Sequence, residues 1–170
     1  EFVSYKVVAP NAPQGRVERT ASNPQSFGGD YNDVAQPDIG FLTLNQPIDL
    51  PHYAELADVT TRVEAKESIL AAAYLRTAEQ AEAPLAMSPQ EPVSSTVDLG
   101  YEHGFGTPLF TKGGDSGGGL FLVENGKTTH KLIATVRQPE PDRNIDHFTR
   151  VDAAFLTWYN AKAGAAAGTK

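Results

Sequence analysis

The chain has 170 residues, 40% of them apolar, enough for one medium domain with a real core or for part of a larger one. A net charge of −7 with no Lys/Arg-rich run argues against a nucleic-acid partner, because an acidic surface repels phosphate. The absence of cysteine excludes disulfides and thiolate metal sites, and the apolar runs, of which Ile69–Leu75 is typical, are too short to span a membrane.

The 15 glycines and 12 prolines point to many turns and short strands rather than a helical bundle. The sequence opens EFVSYKVV in what reads as a strand, with no initiator methionine or signal peptide. The expectation is that an upstream piece was removed, by cleavage or truncation; Glu1-Phe2 also fits a cloning scar. Tyr5–Val8 reads as the end of a strand, followed by a long polar surface loop from Pro10 to Pro37 that contains Gly28-Gly29-Asp30. Next, DIGFLTL at 38–44 is an apolar run between Pro37 and Pro47 and reads as a buried strand.

ILAAAYL at 69–75 fits helix or strand. Residues 78–96 read as loop plus an edge strand, since Pro84, Pro89 and Pro92 forbid a long helix. Leu120–Val123 and Thr128–Val136 flank Asn125-Gly126, a strong hairpin turn signal. Asp152 can cap a helix over Ala153–Lys162 with Phe155, Leu156 and Tyr159 on one face, and the residues after it read as a tail.

The chemistry concentrates at GGDSGG, residues 113–118, where Ser116 lies between an aspartate and glycines just ahead of an apolar strand. A serine hydroxyl is a weak nucleophile until a neighbouring base takes its proton. The four histidines are poor candidates for that base. His52 falls in a surface loop, His103 in a Gly-rich loop, His130 in the hairpin and His147 beside the last strand. Gly114-x-Ser116-x-Gly118 also matches the nucleophile elbow of α/β-hydrolases. That motif needs a helix after the serine, whereas a hairpin follows here, and few residues remain for the other triad members. No metal-ligand spacing and no phosphate-binding loop appears, and chemistry of this kind needs no cofactor.

DIGFLTL at 38–44, GGDSGG at 113–118 and HFTRVDAAFLTWYN at 147–160, with the hairpin between the last two, resemble trypsin-like serine proteases of a cysteine-free bacterial type. SILAAAYLRT resembles the first strand of that family's second barrel. The resemblance implies an all-β fold of two antiparallel six-stranded barrels, chymotrypsin-like, with the first only partly present, plus a C-terminal helix. The implied division is 1–58 for the remainder of the first barrel, 59–151 for the second, 152–163 for the helix and 164–170 for the tail.

By the same resemblance Ser116 is the nucleophile, and the amides of Gly114 and Ser116 form the oxyanion hole. Asp38 orients the base. Asp115, buried, supports the hole by pairing with an N-terminal amine freed on zymogen activation. Phe110, Thr111, Gly113, Arg137, Gln138 and Asp146 line the substrate site.

The family's histidine precedes the aspartate strand, and no histidine precedes Asp38 here. The implied partners are therefore a polypeptide substrate and an upstream segment or chain that supplies the histidine, and the implied setting is secreted. Arg137, Gln138 and Pro139 stand where the family carries a serine, an aromatic residue and a glycine, and Lys112 replaces a cysteine. Arg137 is expected to pair with Asp38 or to face solvent, and Pro139 removes a donor for substrate backbone. Phe110 favours apolar or small P1 side chains, while a carboxylate at Asp146 could receive Lys or Arg. The competing reading is a catalytically inactive homologue that serves as a binding or regulatory module.

Overall fold

The computed structural model describes residues 5–76 and 85–167, with side chains described up to residue 163. The ends, residues 77–84 with Pro84, and the Glu1-Phe2 pair lie outside this description.

The first sheet has three antiparallel strands in the order β1-β2-β3, namely β1 (Tyr5–Ala12), β2 (Gly15–Phe27) and β3 (Ile39–Leu44). The loop expected from Pro10 to Pro37 is therefore largely a hairpin, and only the stretch from Gly28 to Asp38 is a true connection. Val17 and Ala21 point inward at a spacing of four, Arg19 between them is half-buried, and the intervening residues face water. That is strand alternation carried by few apolar side chains. Pro24 is accommodated because the β2–β3 register breaks between Ser22 and Gln25, where Asn23 adopts φ 53°.

The second sheet begins with β4 (Glu55–Leu56), which pairs in parallel with β11 (Lys127–Glu140). A short helix, α1 (Thr60–Glu64), follows. Then come β5 (Leu70–Arg76), β6 (Leu85–Met87), β7 (Glu91–Pro92), β8 (Ser94–Ser95), β9 (Gly104–Pro108), β10 (Gly119–Glu124) and β12 (Ile145–Arg150). Its path runs β6-β5-β10-β11-β12-β9-β8, with β4 and β7 attached at its sides. ILAAAYL thus resolves as strand: Ala71, Ala72 and Ala73 are fully buried, and their small side chains allow close approach of neighbouring layers. The β10–β11 turn is Asn125 at φ 53° and Gly126 at φ 72°, the left-handed pair that a two-residue hairpin needs.

Ala71, Phe105, Leu120, Ile133 and Phe148 centre the core of this sheet. The fold is all-β with mostly antiparallel sheets and a C-terminal helix, and neither sheet closes into a barrel among the described residues. The helix α2 (Ala153–Ala167) runs beyond the expected end at Lys162, so the stretch taken for a tail is helical through Ala167. Asp152 caps it as expected, its Oδ1 accepting the Phe155 amide at 2.9 Å.

This helix ties the second sheet to the first. Phe155, Leu156 and Tyr159 pack inward as expected, and Trp158, unforeseen, joins them. Trp158 lies 5.3 Å from Phe27 on β2 and 5.5 Å from Phe41 on β3, centroid to centroid. Among the described residues no helix is long and apolar enough to cross a membrane.

Candidate active site

The turn that carries Ser116 is folded onto β11 by backbone hydrogen bonds. Gly117 N donates to Val136 O at 2.8 Å, Val136 N to Gly118 O at 2.8 Å, and Gly118 N to Asp115 O at 2.9 Å. These bonds leave Ser116 exposed at the crest of the turn, with its hydroxyl donating to the Arg137 carbonyl at 3.3 Å. Gly114 sits at φ +96°, which favours glycine, and a Cβ there would collide with the Arg76 guanidinium. The amides of Asp115, Gly117 and Gly118 are taken, whereas those of Gly114 and Ser116 are outside the described backbone hydrogen bonds.

Asp115 is buried, as expected, and two of the chain's own amides hold its carboxylate. Oδ1 accepts Arg76 N at 3.1 Å and Oδ2 accepts Lys112 N at 3.0 Å. The carboxylate therefore ties the turn at Ser116 to the end of β5.

Asp38 immediately precedes β3 and is exposed, its amide donating to Thr149 Oγ1 at 3.3 Å. Asp38 and Ser116 line one cleft of about 530 Å³, together with Pro24, Gln25 and Ser26 of β2, Gly40, and Thr135 and Val136 of β11. The cleft is the meeting line of the two sheets, and none of the four histidines lines it.

Each histidine is engaged elsewhere. His52 stacks on the exposed His130 with centroids 4.9 Å apart. His103 Nδ1 is 2.9 Å from Asp152 Oδ2, and its ring sits edge-on to Phe27. His147 is fully buried within β12, with Nε2 2.8 Å from Glu140 Oε2 and its ring stacked 3.8 Å from Tyr101. Burial works to raise the Asp152 carboxyl, but the Phe155 amide, His103 and Arg150 outweigh it and hold the group below the usual carboxylate value.

The substrate-site expectations fare unevenly. Arg137 neither pairs with Asp38 nor faces solvent. It is buried, and its guanidinium donates to the carbonyls of Tyr31, Asp33, Val34 and Gln36. Asp146 is not an open receptor for a basic side chain. It is fully buried and accepts Phe110 N at 2.6 Å, Thr111 N at 2.8 Å and Thr111 Oγ1 at 2.5 Å. Three donors satisfy this carboxylate beside the apolar ring of Phe110, so its burial costs little.

Phe110 is half-buried and packs on the main core, 6.1 Å from Phe148. Gly113 is exposed with open space around it, and Gln138 is exposed with Nε2 donating to Tyr101 Oη at 2.7 Å. Tyr101 and Thr149 were not singled out from sequence. Both act through contacts with residues distant in the chain, and nothing local marks them. Among the described residues no group of three or more His, Asp or Glu could hold a metal ion.

No family model matches the chain, and no curated protein does.

Proposed function

We propose that this chain is the C-terminal portion of a trypsin-like serine endopeptidase, and that its two sheets are parts of two chymotrypsin-like barrels. The observation that carries the reading is the cleft in which Asp38 and an exposed Ser116 face a common space of about 530 Å³, large enough for an imidazole-bearing segment. The edges of β1 and β3 are unpaired among the described residues, which gives such a segment backbone partners next to Asp38.

In this reading a histidine from an upstream segment or separate chain enters between the two residues. Ser116 Oγ attacks the scissile carbonyl carbon as its proton passes to the imidazole, and Asp38 stabilises the imidazolium. The oxyanion accepts from the amides of Gly114 and Ser116, which the turn leaves outside the described backbone bonding. The imidazolium then protonates the leaving amine, and water releases the acyl group from Ser116.

With Asp146 occupied by three donors and Phe110 at the expected pocket floor, the preferred P1 residues are apolar or small. The test is hydrolysis of a labelled protein substrate by material that contains a histidine-bearing segment. Turnover should vanish in Ser116→Ala and in a variant of that histidine. Turnover that survives Ser116→Ala overturns the reading.

Two observations favour a second reading, an inactive homologue that binds polypeptide without cleaving it: the Ser116 hydroxyl is paired to a carbonyl, and no histidine lines the cleft. Peptide binding without turnover, with the histidine segment present, would select it.

A further inference from the structure

We infer that Arg137 is a positioning residue that fixes both walls of the cleft at once; the inference rests on the reading of Ser116 and Asp38 given above. Arg137 occupies a β-bulge. The β11–β12 register runs Val136 to Phe148 and then Gln138 to His147, so Arg137 has no opposite partner. A bulge re-aims its residue. Here the side chain is sent out of the sheet and under the loop that connects β2 to β3.

That loop satisfies its own amides. Asp33 N donates to Asp30 O, Gln36 N to Asp33 O, Asn32 N to Asp30 Oδ1 and Ala35 N to Asp33 Oδ1. Its carbonyls converge on the guanidinium. Nη1 donates to Val34 O at 3.2 Å and Gln36 O at 2.8 Å, while Nη2 donates to Tyr31 O and Asp33 O, both at 3.0 Å. A planar fork with donors in several directions can meet four carbonyls; an ammonium, with three hydrogens on one atom, cannot. The Tyr101 ring lies under the cation, 5.5 Å from Cζ, and stacks on the buried His147, so the guanidinium is seated from below as well.

The loop so held leads through Pro37 directly into Asp38. The carbonyl of the same Arg137 accepts the Ser116 hydroxyl. One residue therefore registers the aspartate wall with its side chain and the serine wall with its backbone.

Native-state hydrogen exchange tests this, using the Asp33, Ala35 and Gln36 amides as reporters. Arg137→Met should speed their exchange on the order of tenfold or more while the β10–β11 ladder keeps its protection, and Arg137→Lys should fall between Met and wild type. In material with a histidine-bearing segment, fluorophosphonate labelling of Ser116 should fall with the same variants and recover when millimolar ethylguanidinium is added to Arg137→Met. Wild-type exchange at the loop in both variants overturns the clamp, as does labelling unchanged when the loop opens. If Arg137→Met does not fold, Arg137→Lys decides by the same exchange criterion. Should the loop open in the variants while wild-type protein is never labelled, the clamp stands and the nucleophile reading fails.

Discussion

Asp146→Ala is the substitution for which the structure yields the firmest magnitude. The carboxylate is fully buried and takes three hydrogen bonds, from the amides of Phe110 and Thr111 and from the Thr111 hydroxyl, at 2.5 to 2.8 Å. Hydrogen bonds to an ionised acceptor contribute about 1.5–3 kcal/mol each, and buried donors left alone incur their own desolvation penalty. Two of the three share one oxygen, and water entering the space left by alanine recovers part of the loss. The expected destabilisation is about 4 kcal/mol, a large share of the roughly 5–15 kcal/mol that holds a domain together. For a chain of this size that corresponds to a fall in Tm of about 8–16 °C.

Asp146→Asn is the internal control. Its carbonyl can still accept from both amides, so it should lose only about 1–2 kcal/mol. Urea unfolding at pH 7 followed by circular dichroism measures both. If alanine and asparagine agree within about 0.5 kcal/mol, the carboxylate is not organising the Phe110-Thr111 segment and the reasoning fails.

Gly114→Ala places a Cβ at φ +96° against Arg76, at a backbone cost of about 1–2 kcal/mol; unfolding should register that cost, and Ser116 labelling should drop by more than stability does. The Asp152 carboxyl sits below its ordinary value of 3.8, so the stability it contributes is complete above that value and is lost as pH falls through about 4 and below. Urea midpoints between pH 7 and pH 3 should decline less steeply in Asp152→Asn, which retains a cap; equal slopes would remove Asp152 as a cause. Trp158 is the sole tryptophan, so its fluorescence reports the docking of α2 on β2 and β3. Trp158→Ala should cost about 2–3 kcal/mol, less than a fully buried tryptophan because the site is half-open to water.

The elements whose chemistry is local were legible in the sequence. The Asn125-Gly126 turn, the Asp152 cap and the strand at 39–44 each carry their signal within a few residues, but β3 is not the buried strand expected: it lies at the edge of a three-stranded sheet, only Ile39 is buried, and Gly40, Leu42 and Thr43 are exposed. The β1–β2 hairpin was hidden because its inward face is built from Val17, Arg19 and Ala21, so that polar composition masks the two-residue period, and Pro10 and Pro24 look like loop residues. ILAAAYL could not be resolved alone, since three buried alanines suit either a helix or a strand packed against close neighbours.

In the site, the turn around Ser116 was readable from its glycines, whereas the settings of Arg137 and Asp146 were not. Arg137 finds its acceptors about a hundred residues away in the loop from Tyr31 to Gln36. Asp146 finds its donors at Phe110 and Thr111. Long-range polar pairing of this kind leaves no periodic trace in a chain.

Activation of Ser116 is the central requirement of the proposed chemistry. The most direct measurement is mass mapping of a fluorophosphonate adduct after treating folded protein that includes a histidine-bearing segment, alongside Ser116→Ala. A single adduct is expected on the peptide containing Ser116, absent in the alanine variant and slowed in Asp38→Asn. Folded protein with that segment in place and no adduct at Ser116 would contradict it.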